Sequence, residues 1–283
     1  GEKPDEALLG GHVLEIRRAL EEDPRNVSIR YALARAHLAR GDRKAAETEL
    51  KRVLEAAPLF QPANMVMALF RTLERRPDEA AEHLKAVLRA NPAHVQANLL
   101  LGGYYEQRRQ LSLAIQHLDA ALRAGPPRDD LKLRLADLYG QVGRLDDAIA
   151  RAQEVVAARP GLAAAQYVLG SLYLRTGSLP QAVGALSAAA RLAPNNGVTH
   201  LTLASGYERA GNVDKALAAY KRTQALLPND PRPYNNAAWL YAVQGKNLDE
   251  ALALARKAHD LTRDTPAMAP GLAGVLDTLG FVH

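Results

Sequence analysis

The hydrophobic and polar positions of residues 163–196 predict two helices joined by a tight turn. Leu169 and Leu172 belong to an apolar series at three- and four-residue steps, which places them on one face of a first helix. We expect Gly177 to end this helix, because glycine readily takes the left-handed conformation that closes a helix C-terminus. A second apolar series follows at Ala182, Leu186, Ala189 and Leu192. Together the two series predict a helical hairpin that ends at Pro194.

Small residues predict that the two helices of this hairpin pack at close range. Gly170 on the first helix faces Ala182 and Ala189 on the second, which leaves little side chain between the two backbones. Ser178 and Pro180 suit the cap and the first turn of the second helix. Such a hairpin cannot bury both of its faces alone, so we expect it to stack on neighbouring hairpins.

The same hairpin recurs with a period of 34 residues along the chain. Seven prolines keep this spacing: Pro24, Pro58, Pro92, Pro126, Pro160, Pro194 and Pro228. The contact positions of the first helix keep it too: Leu33-Ala34, Met67-Ala68, Leu101-Gly102, Leu135-Ala136, Leu169-Gly170, Leu203-Ala204 and Ala237-Ala238. Three positions later stand His37, Arg71, Tyr105, Tyr139, Tyr173, Tyr207 and Tyr241.

This combination of Leu-Gly, Tyr, Ala and Pro in a 34-residue hairpin resembles the tetratricopeptide repeat over nearly the whole chain. The resemblance implies an all-α, right-handed α-solenoid of about seven full repeats with a half repeat at each end. Residues 1–26 would hold only a second helix, roughly Glu6 to Glu22. The full repeats would be 27–60, 61–94, 95–128, 129–162, 163–196, 197–230 and 231–265, followed by a linker and a truncated first helix at 266–283. We expect an excised piece of a longer array, whose apolar ends stack on another copy or on a missing repeat.

Composition and charge narrow the classes of function. The 283 residues are 48% hydrophobic and 5% aromatic, which suits an all-helical protein. The net charge of +5 comes from 36 basic and 31 acidic residues that are interspersed, so we expect a solvated surface and no nucleic-acid partner. The chain has no cysteine, which excludes disulfides and thiolate chemistry. No apolar run reaches the length of a membrane span, no signal peptide is recognisable, and the compartment stays open.

No catalytic, cofactor or metal motif is recognisable, so we predict a protein that is not an enzyme. His83 and His117 stand one repeat apart at the same place on the second helix, which indicates a repeated packing or surface position. The acidic pairs at 129–130 and 146–147 fall at helix starts, where carboxylates interact favourably with free N–H groups and the helix dipole.

By resemblance to the family, a partner would lie on the inner, concave face that the first helices line. The Lys and Asn clamp of chaperone-binding members is absent, and only Asn236 matches the Asn ladder of glycosyltransferase arrays. The remaining inner positions are mostly apolar, which favours a protein or peptide with an apolar or amphipathic segment. We expect the following contact residues: Tyr31, Arg35, Met65, Leu69, Leu99, Leu133, Asp137, Tyr167, Ser171, Leu174, Arg175, Leu201, Ser205, Asn235 and Trp239.

Alternatives remain open for single residues and for the whole function. Trp239, the only tryptophan, either anchors a partner or packs under the linker or against the final helix. Four arginines either bind acidic groups of a ligand or form solvated ion pairs: Arg35, Arg175, Arg209 and Arg232. The C-terminal motifs, including NNAAWLYA at 235–242, resemble long bacterial arrays of envelope and exopolysaccharide export systems, including exosortase-linked ones. We therefore predict a scaffold in such a complex, or alternatively the regulatory or substrate-presenting array of a larger enzyme.

Overall fold

The computed structural model describes residues 6–263 and Gly280, and within these residues it contains fifteen helices and no strand. The helices are α1 (Glu6–Glu22), α2 (Val27–Ala39), α3 (Arg43–Ala56), α4 (Gln61–Leu73), α5 (Pro77–Ala90), α6 (Val95–Gln107), α7 (Leu111–Ala124), α8 (Asp129–Gln141), α9 (Leu145–Ala158), α10 (Ala163–Thr176), α11 (Leu179–Leu192), α12 (Gly197–Arg209), α13 (Val213–Leu226), α14 (Arg232–Gln244) and α15 (Leu248–Arg263). The all-α prediction is confirmed. The predicted linker and final half repeat, 266–283, lie outside the described residues apart from Gly280.

The chain divides into two compact units, residues 1–128 and residues 129–283, called unit 1 and unit 2 below. In unit 1 the main helix pairs are α2 with α3, α4 with α5 and α6 with α7, and α1 packs on α2. In unit 2 they are α8 with α9, α10 with α11, α12 with α13 and α14 with α15. Within each unit the second helix of a pair also packs on the first helix of the next, as a stack of hairpins requires.

The core of each unit lies between paired helices and between successive pairs. In unit 1 a buried cluster joins Ala34 and Leu50 to Met67 of the next hairpin. In unit 2 a corresponding cluster joins Leu186 to Leu203. Each hairpin therefore buries its apolar stripe only with its neighbours, which is the nearest-neighbour stacking that the sequence pattern predicts.

The predicted close approach of helices at Gly170 is confirmed. A Cβ atom placed on Gly170 would lie 2.6 Å from Leu186 Cγ and 3.0 Å from the Leu186 backbone nitrogen. Gly102 is equally tight, because its Cβ would lie 2.5 Å from Leu118 Cδ2. Both distances are far shorter than a normal carbon–carbon contact of about 3.5–4.0 Å, so these helix pairs depend on glycine.

The turn inside each hairpin uses a residue with positive φ. Gly177 has φ 76° and closes α10 by donating to the carbonyls of Tyr173 and Leu174, as predicted. In the second and third repeats arginine takes this role at a steric cost, with φ 58° at Arg75 and φ 59° at Arg109. Ser178 is the N-cap residue of α11, but its side chain makes no capping hydrogen bond.

The turn between hairpins is held by a hydrogen bond to the carbonyl of the repeated proline. At the fourth offset of six repeats a side chain donates to the proline carbonyl six residues earlier. The donors are Arg30, Asn64, Asn98, Gln166, His200 and Tyr234, at 2.8 to 3.3 Å. The donors differ in chemistry, but each satisfies the proline carbonyl and so ties the turn to the first helix of the next hairpin.

Arg71 is buried at the offset where the five later repeats carry tyrosine. Its guanidinium pairs with Glu47 of α3 at 2.5 Å and also with Glu74. The hydrogen bond from Arg71 is the main cause that holds the pKa of Glu47 below its ordinary value of 4.5, against the opposing effect of burial. An ion-pair network therefore replaces the aromatic contact in the repeat that matches the pattern least well.

Candidate protein-binding face

Unit 1 contains an apolar groove, formed by the first helices α4 and α6 and by α5, the second helix of the hairpin that begins with α4. The groove encloses a cavity of about 440 Å³. Its wall is mostly apolar and includes Met65, Leu69, Leu84, Leu99 and Leu100. Two of these leucines are unusually accessible, since Leu69 is 56% and Leu100 is 45% exposed. The structure thus brings together three predicted contact residues, Met65, Leu69 and Leu99.

A polar group stands beside the groove wall. The hydroxyl of Tyr104, which lines the groove, donates to Asp78 at 2.8 Å. Arg108 pairs with the same carboxylate and places its guanidinium 5.0 Å from the centre of the Tyr104 ring. Burial, followed by this hydrogen bond, raises the pKa of Tyr104 above its ordinary value. The groove is therefore apolar inside with charge beside it.

The other two predicted contact residues of unit 1 lie outside the groove. Tyr31 packs beside the core of the first two hairpins, with its ring 5.3 Å from that of Phe60. Arg35 is exposed on α2.

In unit 2 several predicted contact residues serve packing. Leu174 and Leu201 are only 8% and 7% exposed and belong to core clusters, so the structure assigns them to the core rather than to an accessible surface. Tyr167 is half-buried against the same core as Leu174. Leu133 is half-buried, whereas Asp137 is exposed and accepts a hydrogen bond from Gln141.

Arg175 and Arg209 bind backbone carbonyls. The sequence had suggested either ligand binding or solvated ion pairs for them, and not this role. Arg175 donates to the Gly140 carbonyl at 2.8 Å, and Arg209 donates to the Leu174 carbonyl at 2.7 Å. Each therefore satisfies an acceptor at the end of the preceding first helix. Gly140 makes room for this contact, because a Cβ there would lie 2.9 Å from Arg175 Nη1.

A polar cluster that the sequence analysis missed centres on Tyr220 of α13. Tyr220 is fully buried at an offset where four other repeats carry leucine. Its hydroxyl donates to Glu208 at 2.5 Å and accepts from Asn236 Nδ2 at 3.1 Å. The Ser205 hydroxyl, a predicted contact group, lies 3.4 Å away. Burial and the hydrogen bond to Glu208 raise the pKa of Tyr220 to about 12. In the sequence, the replacement of leucine by tyrosine at this offset was the only sign of the cluster.

Two predicted contact residues of unit 2 have buried side-chain oxygens without a hydrogen-bond partner among the described residues. They are Ser171 Oγ and Asn235 Oδ1. Trp239 is 39% exposed on α14. This face of unit 2 thus combines polar groups with one accessible aromatic ring.

The repeated histidines serve packing. Nδ1 of His83 lies 2.9 Å from Asn64 Oδ1, and Nδ1 of His117 lies 2.9 Å from Asn98 Oδ1. Burial is the main cause that lowers the pKa of both imidazoles. Over the part of the chain that the structure describes, no group of three or more His, Asp or Glu side chains could hold a metal ion. No helix there is long and apolar enough to cross a membrane.

The acidic pairs at helix starts lie where the sequence placed them. Asp129 is in the first turn of α8 and pairs with Arg159 at 2.7 Å. Asp147 is in the first turn of α9 and pairs with Arg144 at 2.8 Å.

Solved structures with the same fold include three helical-repeat proteins. MamA is 27% identical, with a TM-score of 0.55 over 58% of this chain and 95% of its own. YrrB, described as a TPR protein with an unusual peptide-binding site, is 17% identical, with a TM-score of 0.58 over 66% of this chain and 96% of its own. A chain of the APC/C hetero-tetramer Cut9–Hcn1 is 16% identical, with a TM-score of 0.55 over 95% of this chain and 52% of its own.

Sequence comparison gives the family. No curated protein matches the chain significantly. Family models described as tetratricopeptide repeat match residues 15–69, 74–129, 133–197 and 201–266. Because these matches cover most of the chain, the protein belongs to the tetratricopeptide-repeat family.

Proposed function

We propose that this protein is a binding scaffold whose unit 1 groove accepts an apolar or amphipathic segment of a partner protein. Membership of the tetratricopeptide-repeat family supports a protein-interaction role. The observation that carries the proposal is the apolar cavity of about 440 Å³ between α4, α5 and α6. This volume lies within the range of about 300–1,000 Å³ that is usual for binding pockets.

The exposure of the groove wall favours an apolar occupant. Leu69 and Leu100 remain accessible in the free chain, so a partner side chain would remove them from water. Complete burial of one such side chain contributes about 1.5–3 kcal/mol. The Asp78–Arg108 pair beside the groove suits a segment with a polar side as well as an apolar one.

Mutation of an exposed groove leucine tests the proposal without disturbing the core. Short random peptides are displayed and selected on the purified chain, and the affinity of the recovered peptides is measured by fluorescence anisotropy. We expect Leu69→Lys to weaken binding by about 10- to 100-fold, because a charge then occupies the apolar wall. Leu113→Lys is the matched control, since Leu113 is 39% exposed in unit 1 but does not line the groove.

The comparison of the two variants decides the outcome. Equal affinities for Leu69→Lys and the wild-type chain would place binding elsewhere and refute the groove. Equal losses in both variants would show a nonspecific effect of added charge.

The cellular role of the scaffold is a separate proposal. The C-terminal motifs favour assembly of a bacterial envelope or exopolysaccharide-export complex. The groove geometry is independent of that assignment. Affinity capture from the native organism on the wild-type chain, with Leu69→Lys as the negative control, would test it. Partners drawn from another system would contradict it.

A further inference from the structure

Unit 2 presents a group of hydrogen-bond acceptors on α12, α13 and α14. We call Ser205, Glu208, Tyr220, Asn235 and Asn236 the acceptor cluster. Tyr220 joins three of its other members, since its hydroxyl reaches Glu208, Asn236 and Ser205 at 2.5, 3.1 and 3.4 Å. The hydroxyl proton is directed at Glu208, so the Glu208 side chain is the acceptor of this bond.

Glu208 forms no salt bridge with a cationic side chain in the part of the chain that the structure describes. Glu208 is half-buried, and its hydrogen-bond partner is the neutral Tyr220 hydroxyl. The adjacent Arg209 donates to the Leu174 carbonyl. By contrast, the more deeply buried Glu49 pairs with Arg30 and Arg52 at 3.0 and 2.7 Å. A partly desolvated carboxylate without a cation is unfavourable, and binding a cation would relieve that cost.

Asn235 adds a second acceptor. Its Oδ1 atom is buried and makes no hydrogen bond to any described residue. Its Nδ2 atom lies 3.5 Å from Oδ1 of Asn236, and Asn236 in turn contacts Tyr220. A buried acceptor without a donor costs about 1–3 kcal/mol, so a ligand that brings N–H groups would gain from it once a small side-chain rotation exposes Oδ1.

Trp239 lies on the same side of α14 as the two asparagines. It follows Asn236 by three residues and Asn235 by four, the spacings that bring side chains together on a helix. With 39% of its surface exposed, its ring is accessible to a ligand. Aromatic faces attract cations, which is consistent with the charge of Glu208.

We propose that the acceptor cluster binds the cationic side chain, arginine or lysine, of a peptide lying on the first-helix face of unit 2. This inference rests on the proposed scaffold function and specifies the chemistry of the partner. A carboxylate and a carbonyl-type oxygen match the donors of a guanidinium or ammonium group. Phosphate and carboxylate groups are repelled by Glu208, so the site excludes nucleic acids and acidic peptides.

The experiment couples a change in the peptide to a change in the protein. Short random peptides are selected on the wild-type chain. Those that quench or shift Trp239 fluorescence are resynthesised with arginine replaced by citrulline, or lysine by norleucine. We expect a basic residue at one shared position and an affinity loss of about tenfold or more when it is neutralised.

The protein arm uses Glu208→Gln, which can still accept from Tyr220. On this variant we expect the neutralised and charged peptides to bind almost equally. Asp214→Asn removes an exposed carboxylate from α13 of the same unit and should retain the full tenfold discrimination. Far-UV circular dichroism checks that both variants keep their helices. The comparison of charged and neutralised peptides uses the wild-type chain, so it does not depend on the folding of any variant.

The outcomes separate this inference from the groove proposal. Peptides that bind without a basic residue, or with equal discrimination on Glu208→Gln and wild type, overturn the cation site alone. Loss of binding in Leu69→Lys would still uphold the groove in that case. Selection that yields no binder at all overturns both.

Discussion

Substitution of Gly170 by alanine tests how closely the two helices of a hairpin approach. The added Cβ would lie 2.6 Å from Leu186 Cγ and 3.0 Å from the Leu186 backbone nitrogen. The side chain can rotate away, but the backbone nitrogen moves only with helix α11. Gly184 in α11 is the matched control, because a Cβ at that position meets no atom within 4 Å.

The magnitude follows from two opposing effects. Replacing a glycine inside a helix by alanine stabilises the helix by about 0.5–1 kcal/mol, and this gain applies to both positions. At Gly170 the overpacked methyl group adds a cost of about 1–3 kcal/mol. We therefore expect Gly184→Ala to raise the free energy of unfolding by up to about 1 kcal/mol. The free energy of unfolding of Gly170→Ala should be about 1–3 kcal/mol lower than that of Gly184→Ala.

Urea unfolding followed by far-UV circular dichroism measures both free energies of unfolding. Leu186→Ala removes a buried core side chain and costs about 2–5 kcal/mol by itself. In that background the further cost of Gly170→Ala should be smaller than in the wild-type chain, because the Leu186 side-chain atoms nearest the new methyl group are absent. Equal stabilisation by Gly170→Ala and Gly184→Ala would refute the claim that these helices meet at van der Waals distance.

Three further substitutions test the turns and the ion-pair network. Asn98→Ala should lower the free energy of unfolding in urea by about 1–3 kcal/mol, because the Pro92 carbonyl and His117 both lose a hydrogen-bond partner. Gln166 stands at the same offset of a later repeat but makes a longer bond of 3.3 Å, so Gln166→Ala should cost less than about 1 kcal/mol. Equal costs would contradict the role assigned to Asn98. Because the folded-state pKa of Glu47 is lowered, its stabilising contribution is fully present above the unfolded pKa of about 4.5 and is lost as pH falls through the folded pKa. The stability difference between wild type and Glu47→Gln should therefore shrink as pH falls below about 4.5, and a pH-independent difference would contradict this sign.

The helices could be predicted from the sequence because their determinants are local. Apolar spacing, the turn glycine and the repeated proline act within one hairpin, so one repeat is enough to predict α10 and α11. Ser178 shows the limit of local reasoning, since it occupies the N-cap position without the expected side-chain bond.

The bond between hairpins was missed for a different reason. Asn98, His200 and Tyr234 share no residue type, and what they share is a donor within reach of a proline carbonyl six residues earlier. A search for repeated residue types cannot detect a repeated hydrogen-bonding capacity. The three-dimensional turn is needed to show that the acceptor is common to all of them.

Part of the candidate site could be predicted from the sequence, because the offset of a residue within its repeat determines which helix face the residue occupies. Met65, Leu69 and Leu99 were selected by their offsets in the repeat, and all three line the groove. Arg175 was not predictable in this way, because its role depends on space left by Gly140 in the preceding hairpin. Contacts between repeats depend on two sequences at once, and single offsets do not reveal them.

The same offset carries different chemistry in the two units. Leu84 and Tyr220 occupy equivalent positions on the second helix of their repeats. Leu84 forms part of the apolar wall of the groove in unit 1, whereas Tyr220 holds Glu208 and Asn236 together in unit 2. The repeat therefore fixes where a side chain points, and the residue type decides what it offers to a partner. An apolar groove contributes affinity through buried area and accepts many sequences, whereas a half-buried carboxylate favours segments that bring a cation over those that do not. The groove proposal thus assigns the affinity of the scaffold to unit 1, and the cation-site proposal assigns its selectivity to the acceptor cluster of unit 2.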